Sequence, residues 1–109
     1  MGQNYKGTKC FSVTHTHATA AKAEQAAPGA GKRIFITDIA GSSDKAGSII
    51  LVKVDSGGGG DATLWQVQVG AGNYSHRFET PLIATTNKKA SVEIDGTSAC
   101  KANISGFIL

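Results

Sequence analysis

The sequence predicts an all-β domain, a sandwich or a barrel, and three observations carry that prediction. Between residues 27 and 69, short runs rich in β-branched and apolar side chains alternate with glycine, serine and aspartate. Within that stretch, Thr63, Trp65, Val67 and Val69 share one face opposite Gln66 and Gln68, a clean period of two. The segment with most helical propensity, residues 18–27, is alanine-rich but carries no stripe of large apolar residues. An isolated helix of about ten residues is marginal in water, so this segment is read as extended.

Taken in order, residues 9–13 form a short strand or an extended arm, and residues 14–19 alternate threonine and histidine in a strand-like way. Pro28-Gly-Ala-Gly31 makes a turn into a strand over residues 32–40. In residues 48–55, Ile50, Val52 and Val54 share a face, and Ile49 and Leu51 give the opposite face apolar character, which marks a central strand. Gly57 to Gly60 with Asp61 form a loose hairpin loop before the Trp65 strand. Residues 74–79 follow, with His76 and Phe78 inward. Residues 80–84 are an edge segment, because Pro81 has no N–H for a ladder. Ala90, Val92 and Ile94 alternate with polar residues, Asp95-Gly96 turns the chain, and Cys100, Ala102 and Ile104 point inward from a final strand. Seven or eight strands result.

At 109 residues the chain makes one domain. Apolar residues reach 40%, but many are alanine and aromatics are only 6%, so each buried side chain contributes little area. Fourteen glycines raise the entropy cost of ordering the backbone. Such a domain is expected to be marginally stable alone and to gain from association. The net charge of +3 resides near the N-terminus: Lys6, Lys9 and Lys22 precede the first acidic residue, Glu24. No arginine patch interleaves with aromatics, which argues against a nucleic-acid binder. No apolar run approaches the ~18 residues of a membrane span. With no apolar leader segment visible, the expectation is synthesis and retention in a reducing cytoplasm.

Few residues suggest chemistry. Cys10 and Cys100 fall on the first and last strands, which are neighbours in many sandwiches; two buried free thiols are expected rather than a disulfide. His15 and His17 would point the same way on a strand, and a solvated Thr/His face is the expectation over a metal site. Residues 27–33 resemble a phosphate-binding loop only superficially, since Ala26 and Arg33 replace its glycine and hydroxyl residue. No nucleophile, base and orienting group share a signature spacing, so neither catalysis nor a cofactor is expected. Trp65, Tyr74 and Phe78 could stack a sugar ring, although the phase of Trp65 and Phe78 favours core anchors.

The order of segments is similar to that of small tailed-bacteriophage virion proteins. The matching residues are Ala26 to Ile39, Ser48 to Val54 and Leu64 to Val69, with Phe78-Glu-Thr-Pro-Leu82 downstream. This resemblance implies a single jelly-roll-like antiparallel β-sandwich over residues 18–109, preceded by an N-terminal arm over residues 1–17. It also implies a non-enzymatic capsid decoration (cement) protein, commonly trimeric, that binds the major capsid protein at capsomer junctions on the virion surface. Tyr5, Lys6, Lys9 and Phe11 would then contact the shell, and Phe107, Ile108 and Leu109 would dock in the core or a neighbouring subunit. A head-fibre, tail or baseplate component, or a glycan-binding β-sandwich module, remains the alternative.

Overall fold

The computed structural model describes residues 9–16, 22–55, 61–96 and 100–109. Eight strands run through them: β1 (Lys9–Thr16), β2 (Ala23–Gln25), β3 (Ile34–Ser43), β4 (Ile49–Asp55), β5 (Asp61–Gln68), β6 (Gly72–Ile83), β7 (Ala90–Asp95) and β8 (Cys100–Ile108). They pair into two four-stranded antiparallel sheets, ordered β1-β8-β3-β6 and β2-β7-β4-β5. Among the described strands, β4 and β5 are the only consecutive pair in one sheet; every other consecutive pair lies in opposite sheets. That order is the double Greek key of an eight-stranded jelly roll.

Alternation places the core. Ile34, Ile36 and Ile104 from the first sheet face Ile50, Val52 and Val92 from the second, all fully buried. At roughly 25 cal/mol per Å² of apolar surface, these branched side chains supply most of the driving force. Ala84, Ala90 and Ala102 fill the remaining space with little volume, giving the thin core the composition foretells. Strand β3 keeps its face by an irregularity. Ile36 and Ile39 both point inward although three residues apart, because the register shifts between Ile36 and Asp38.

Several expectations need correction. Lys9–Thr16 is not part of an arm: it is an edge strand of the sandwich, paired along its whole length with β8. Residues 1–8, with Tyr5 and Lys6, lie outside the described residues, as do His17 and the Gly57 to Gly60 loop. Phe11 is a core residue, since its position on β1 faces the opposite sheet, so it is no outward anchor. His15 also faces inward and is buried, not displayed on a solvated face. Residues 74–84 do not form two segments; Gly72–Ile83 is one long edge strand, with Pro81 tolerated there as the edge position allows. Both cysteines are free as expected, but Cys10 is exposed and only Cys100 is buried. Their strands are neighbours, yet the antiparallel register sets Cys10 opposite Phe107, at the far end of β8 from Cys100.

Candidate functional site

The two sheets leave an open edge where β5, at the border of the second sheet, meets β6, at the border of the first. Trp65 sits there. A register shift in β5 between the partners of Val52 and Lys53 makes room for Leu64 and sets Trp65 opposite Val52, on the inner side. His76 pairs with Ile39 and reaches the same edge from β6. The two rings lie nearly parallel, 5.6 Å between centroids and 16° between planes. Phe78 closes the group edge-on, 5.2 Å from Trp65 and 4.8 Å from His76. Offset stacks and T-shaped pairs at 4.5–7 Å are the arrangements that ring quadrupoles favour.

Trp65 and Phe78 are half-buried and pack on the core cluster, whereas His76 is exposed. The expectation of core anchors therefore describes Phe78 well and Trp65 in part; His76 takes the inward phase expected of it, opposite the buried Ile39, but stays exposed at the sheet edge. A cleft of about 410 Å³ opens beside the stack, lined among others by Trp65, Asn73, Tyr74, Ser75 and His76. Ligand sites are typically ~300–1,000 Å³, with ring faces for contact area and a few polar groups for orientation.

Tyr74 supports this cleft instead of serving as a platform. Its hydroxyl donates to the Lys101 carbonyl at 3.2 Å, across the bare backbone of Gly41. Burial pushes the phenol well above its ordinary value, so it stays a donor across the physiological range. Gly41 is required by this approach: a Cβ there would collide with the Lys101 carbonyl oxygen and lie 2.6 Å from the Tyr74 hydroxyl.

Three other clefts have similar volumes, so size does not choose among them. One of about 410 Å³ is lined by Thr16, Ser42, Ser43, Asp44, Cys100 and Lys101, among others, without an aromatic ring. Burial pushes the Cys100 thiol up, opposite to what an activated nucleophile needs. A second, about 400 Å³, lies beside Lys9, Pro28 and Leu109, and a third, about 330 Å³, beside Cys10, Asp38, Arg77 and Phe107. Among the described residues, no group of three His, Cys, Asp or Glu side chains is placed to hold a metal ion.

The C-terminal residues divide between two environments. Ile108 is in the core, Phe107 stacks on Phe35 across the outer face of the first sheet at 4.9 Å, and Leu109 is 61% exposed. Lys9 is exposed at the start of β1. His76 is the residue whose place in the site sequence reasoning missed. Its signal was its position on an edge strand opposite the Trp65 strand, which becomes visible only when the two sheets are assembled.

No family model matches the chain, and no curated protein matches it. Among solved structures it is similar to TmCBM61, a carbohydrate-binding module in complex with β-1,4-galactotriose, with a TM-score of 0.36 and 20% identity. The match covers 93% of this chain and 64% of that one, so the chain spans less than two thirds of its length. A likeness of this degree assigns no function.

Proposed function

We propose that the chain is a non-catalytic β-sandwich module that binds carbohydrate at the Trp65–His76 edge. The observation that carries this reading is the stacked pair itself, set at an open border of the sandwich in a cleft rimmed by Asn73 and Ser75. A pyranose presents a C–H face that lies on an aromatic ring and a rim of hydroxyls that meets amide and hydroxyl side chains. Ring contact supplies area, and the polar rim sets orientation. Jelly rolls of this strand order serve as lectin domains, so the scaffold suits the role.

The test is a glycan array probed with the wild-type chain, a Trp65→Ala variant and a His76→Ala variant. Retained hits that weaken by at least about tenfold in both variants support the reading, since tenfold is about 1.4 kcal/mol, the scale of a lost ring contact. Binding that survives both substitutions, or no binding to any glycan, contradicts it.

A second reading keeps the chain in a virion as a capsid decoration protein on the major capsid protein. Jelly rolls also build capsid parts, and the apolar outer row of the first sheet, described below, offers a docking face. Co-sedimentation of the chain with purified particles at a fixed ratio to the shell protein would favour it over the glycan reading.

A further inference from the structure

The two outer faces of the sandwich differ in kind. Over the second sheet, Lys53 pairs with Glu93 at 3.2 Å, and Lys22, Glu24, Lys89 and Asp61 form a chain of contacts at 2.6–3.3 Å. Gln66 stands opposite Leu51 and Gln68 opposite Ile49 on that same face. Ion pairs and amides dominate that face, with Ile49 and Leu51 half-buried among them. The first sheet carries instead an apolar row across all four strands: Cys10 opposite Phe107, Phe107 opposite Phe35, and Phe35 opposite Ile83. Phe35 and Phe107 are stacked within 7° of parallel, and Ile83 is 44% exposed.

One register step further along the same face, Asp38 stands opposite Arg77. Their contact is loose, 3.8 Å, and the Arg77 side chain is 87% exposed. An exposed pair at that separation contributes little to the fold. Its placement beside the apolar row matters more. Aspartate on β3 and arginine on β6 are mutually complementary, as are the two apolar residues, Phe35 on β3 and Ile83 on β6, in the adjoining row.

We propose that this face docks on a second copy of the chain about a two-fold axis running along the strands between β3 and β6. That operation lays β3 of one protomer over β6 of the other. Asp38 then meets Arg77 of the second copy, Arg77 meets its Asp38, and Phe35 and Ile83 cover one another. Self-complementarity of this kind is what an isologous interface demands. Edge-to-edge pairing through β6 is disfavoured, because that strand breaks its regular register between Arg77 and Leu82. Two strands about 5 Å wide, rising about 3.3 Å per residue, bury on the order of 400 Å² per copy, half of a standard-size interface, and leave Phe107 and Cys10 on β8 and β1 outside the overlap, so the dimer is weak and reversible. Asp38, Arg77, Phe35 and Ile83 do not line the Trp65 cleft, so this inference stands apart from the glycan reading.

The experiment is sedimentation equilibrium of the full chain across a concentration series at low salt, with charge reversals D38R and R77D. The wild type dimerises with rising concentration. Each variant alone places like charges across the axis and weakens association about tenfold or more. Mixed one to one, they restore the dimer. The D38R chain carries arginine at both positions and the R77D chain carries aspartate at both, so each contact across the axis again joins opposite charges. An exchange confined to a single chain cannot produce that rescue. Thermal melts of both variants confirm that they fold. A wild type that stays monomeric, a trimer, or a mixture that fails to associate overturns the proposal.

Discussion

Single residues decide two features that composition alone does not reveal. Gly41 lets the Tyr74 ring pass to the Lys101 carbonyl. Gly41→Ala forces the Cβ into that carbonyl, and the backbones of β3 and β8 must part. Overpacking of this sort typically costs about 1–3 kcal/mol, which a denaturant titration reads as a lower midpoint at unchanged slope. The second feature is the cluster around Glu24. A hydrogen bond from Lys89, with a further contribution from Lys22, holds the Glu24 carboxyl below its ordinary 4.5, and a hydrogen bond from Lys22 holds Asp61 below 3.8; burial opposes both. Lys22 is raised above 10.5, chiefly by its bond to Asp61. The sign follows from linkage: depressed carboxylates contribute stability above their ordinary values and lose it as pH falls through the folded ones. Melting temperature should therefore fall below about pH 4, and Glu24→Gln should blunt that fall. The change is small, because water screens partly exposed pairs. A drop of equal size in Glu24→Gln would assign the acid sensitivity to other groups.

At the scale of elements, legibility tracked how cleanly a strand alternates. Residues 48–55 were readable because Ile50, Val52 and Val54 make one face wholly apolar, and β4 lies there. Residues 62–69 were readable only from Trp65 onward, because the register shift at Leu64 turns Thr63, expected on the Trp65 face, to the outer face opposite Lys53. The first strand was not: Thr, His and Ser alternate without a large apolar set, so nothing local separates an arm from an edge strand. Its place is fixed by eight pairings to β8, more than ninety residues away at its start. The Phe78-Glu-Thr-Pro-Leu82 segment, legible as a motif, proves to be the irregular stretch where β6 departs from β3 between Arg77 and Leu82. It places Phe78 against Trp65 and His76 while blunting an edge. The site was half legible. Trp65 was singled out, but its partner His76 comes from the other sheet, and no local pattern joins them. Strand β8 lies between β1 and β3 and carries the fully buried Ile104. Ile104→Ala is expected to cost about 2–5 kcal/mol, and a loss under about 0.5 kcal/mol would contradict its central place.

For the whole molecule, strand order joins the fold to its proposed uses. Consecutive strands that cross between sheets leave four edge strands among the described residues and two outer faces, each with a different character. The β5–β6 border carries the aromatic stack, the face of the second sheet carries ion pairs, and the face of the first carries the apolar row. Alternation within a strand gave the fold class. The jelly-roll order came from the resemblance, and pairings between distant strands bear it out. The central claim is that the Trp65–His76 edge binds carbohydrate. Trp65 is the chain's one tryptophan, so its intrinsic fluorescence reports on that edge without labelling. The most direct measurement is a fluorescence titration with oligosaccharides that differ in sugar and linkage. A saturable change in Trp65 emission that disappears in His76→Ala is the predicted result; emission indifferent to every oligosaccharide would contradict the account.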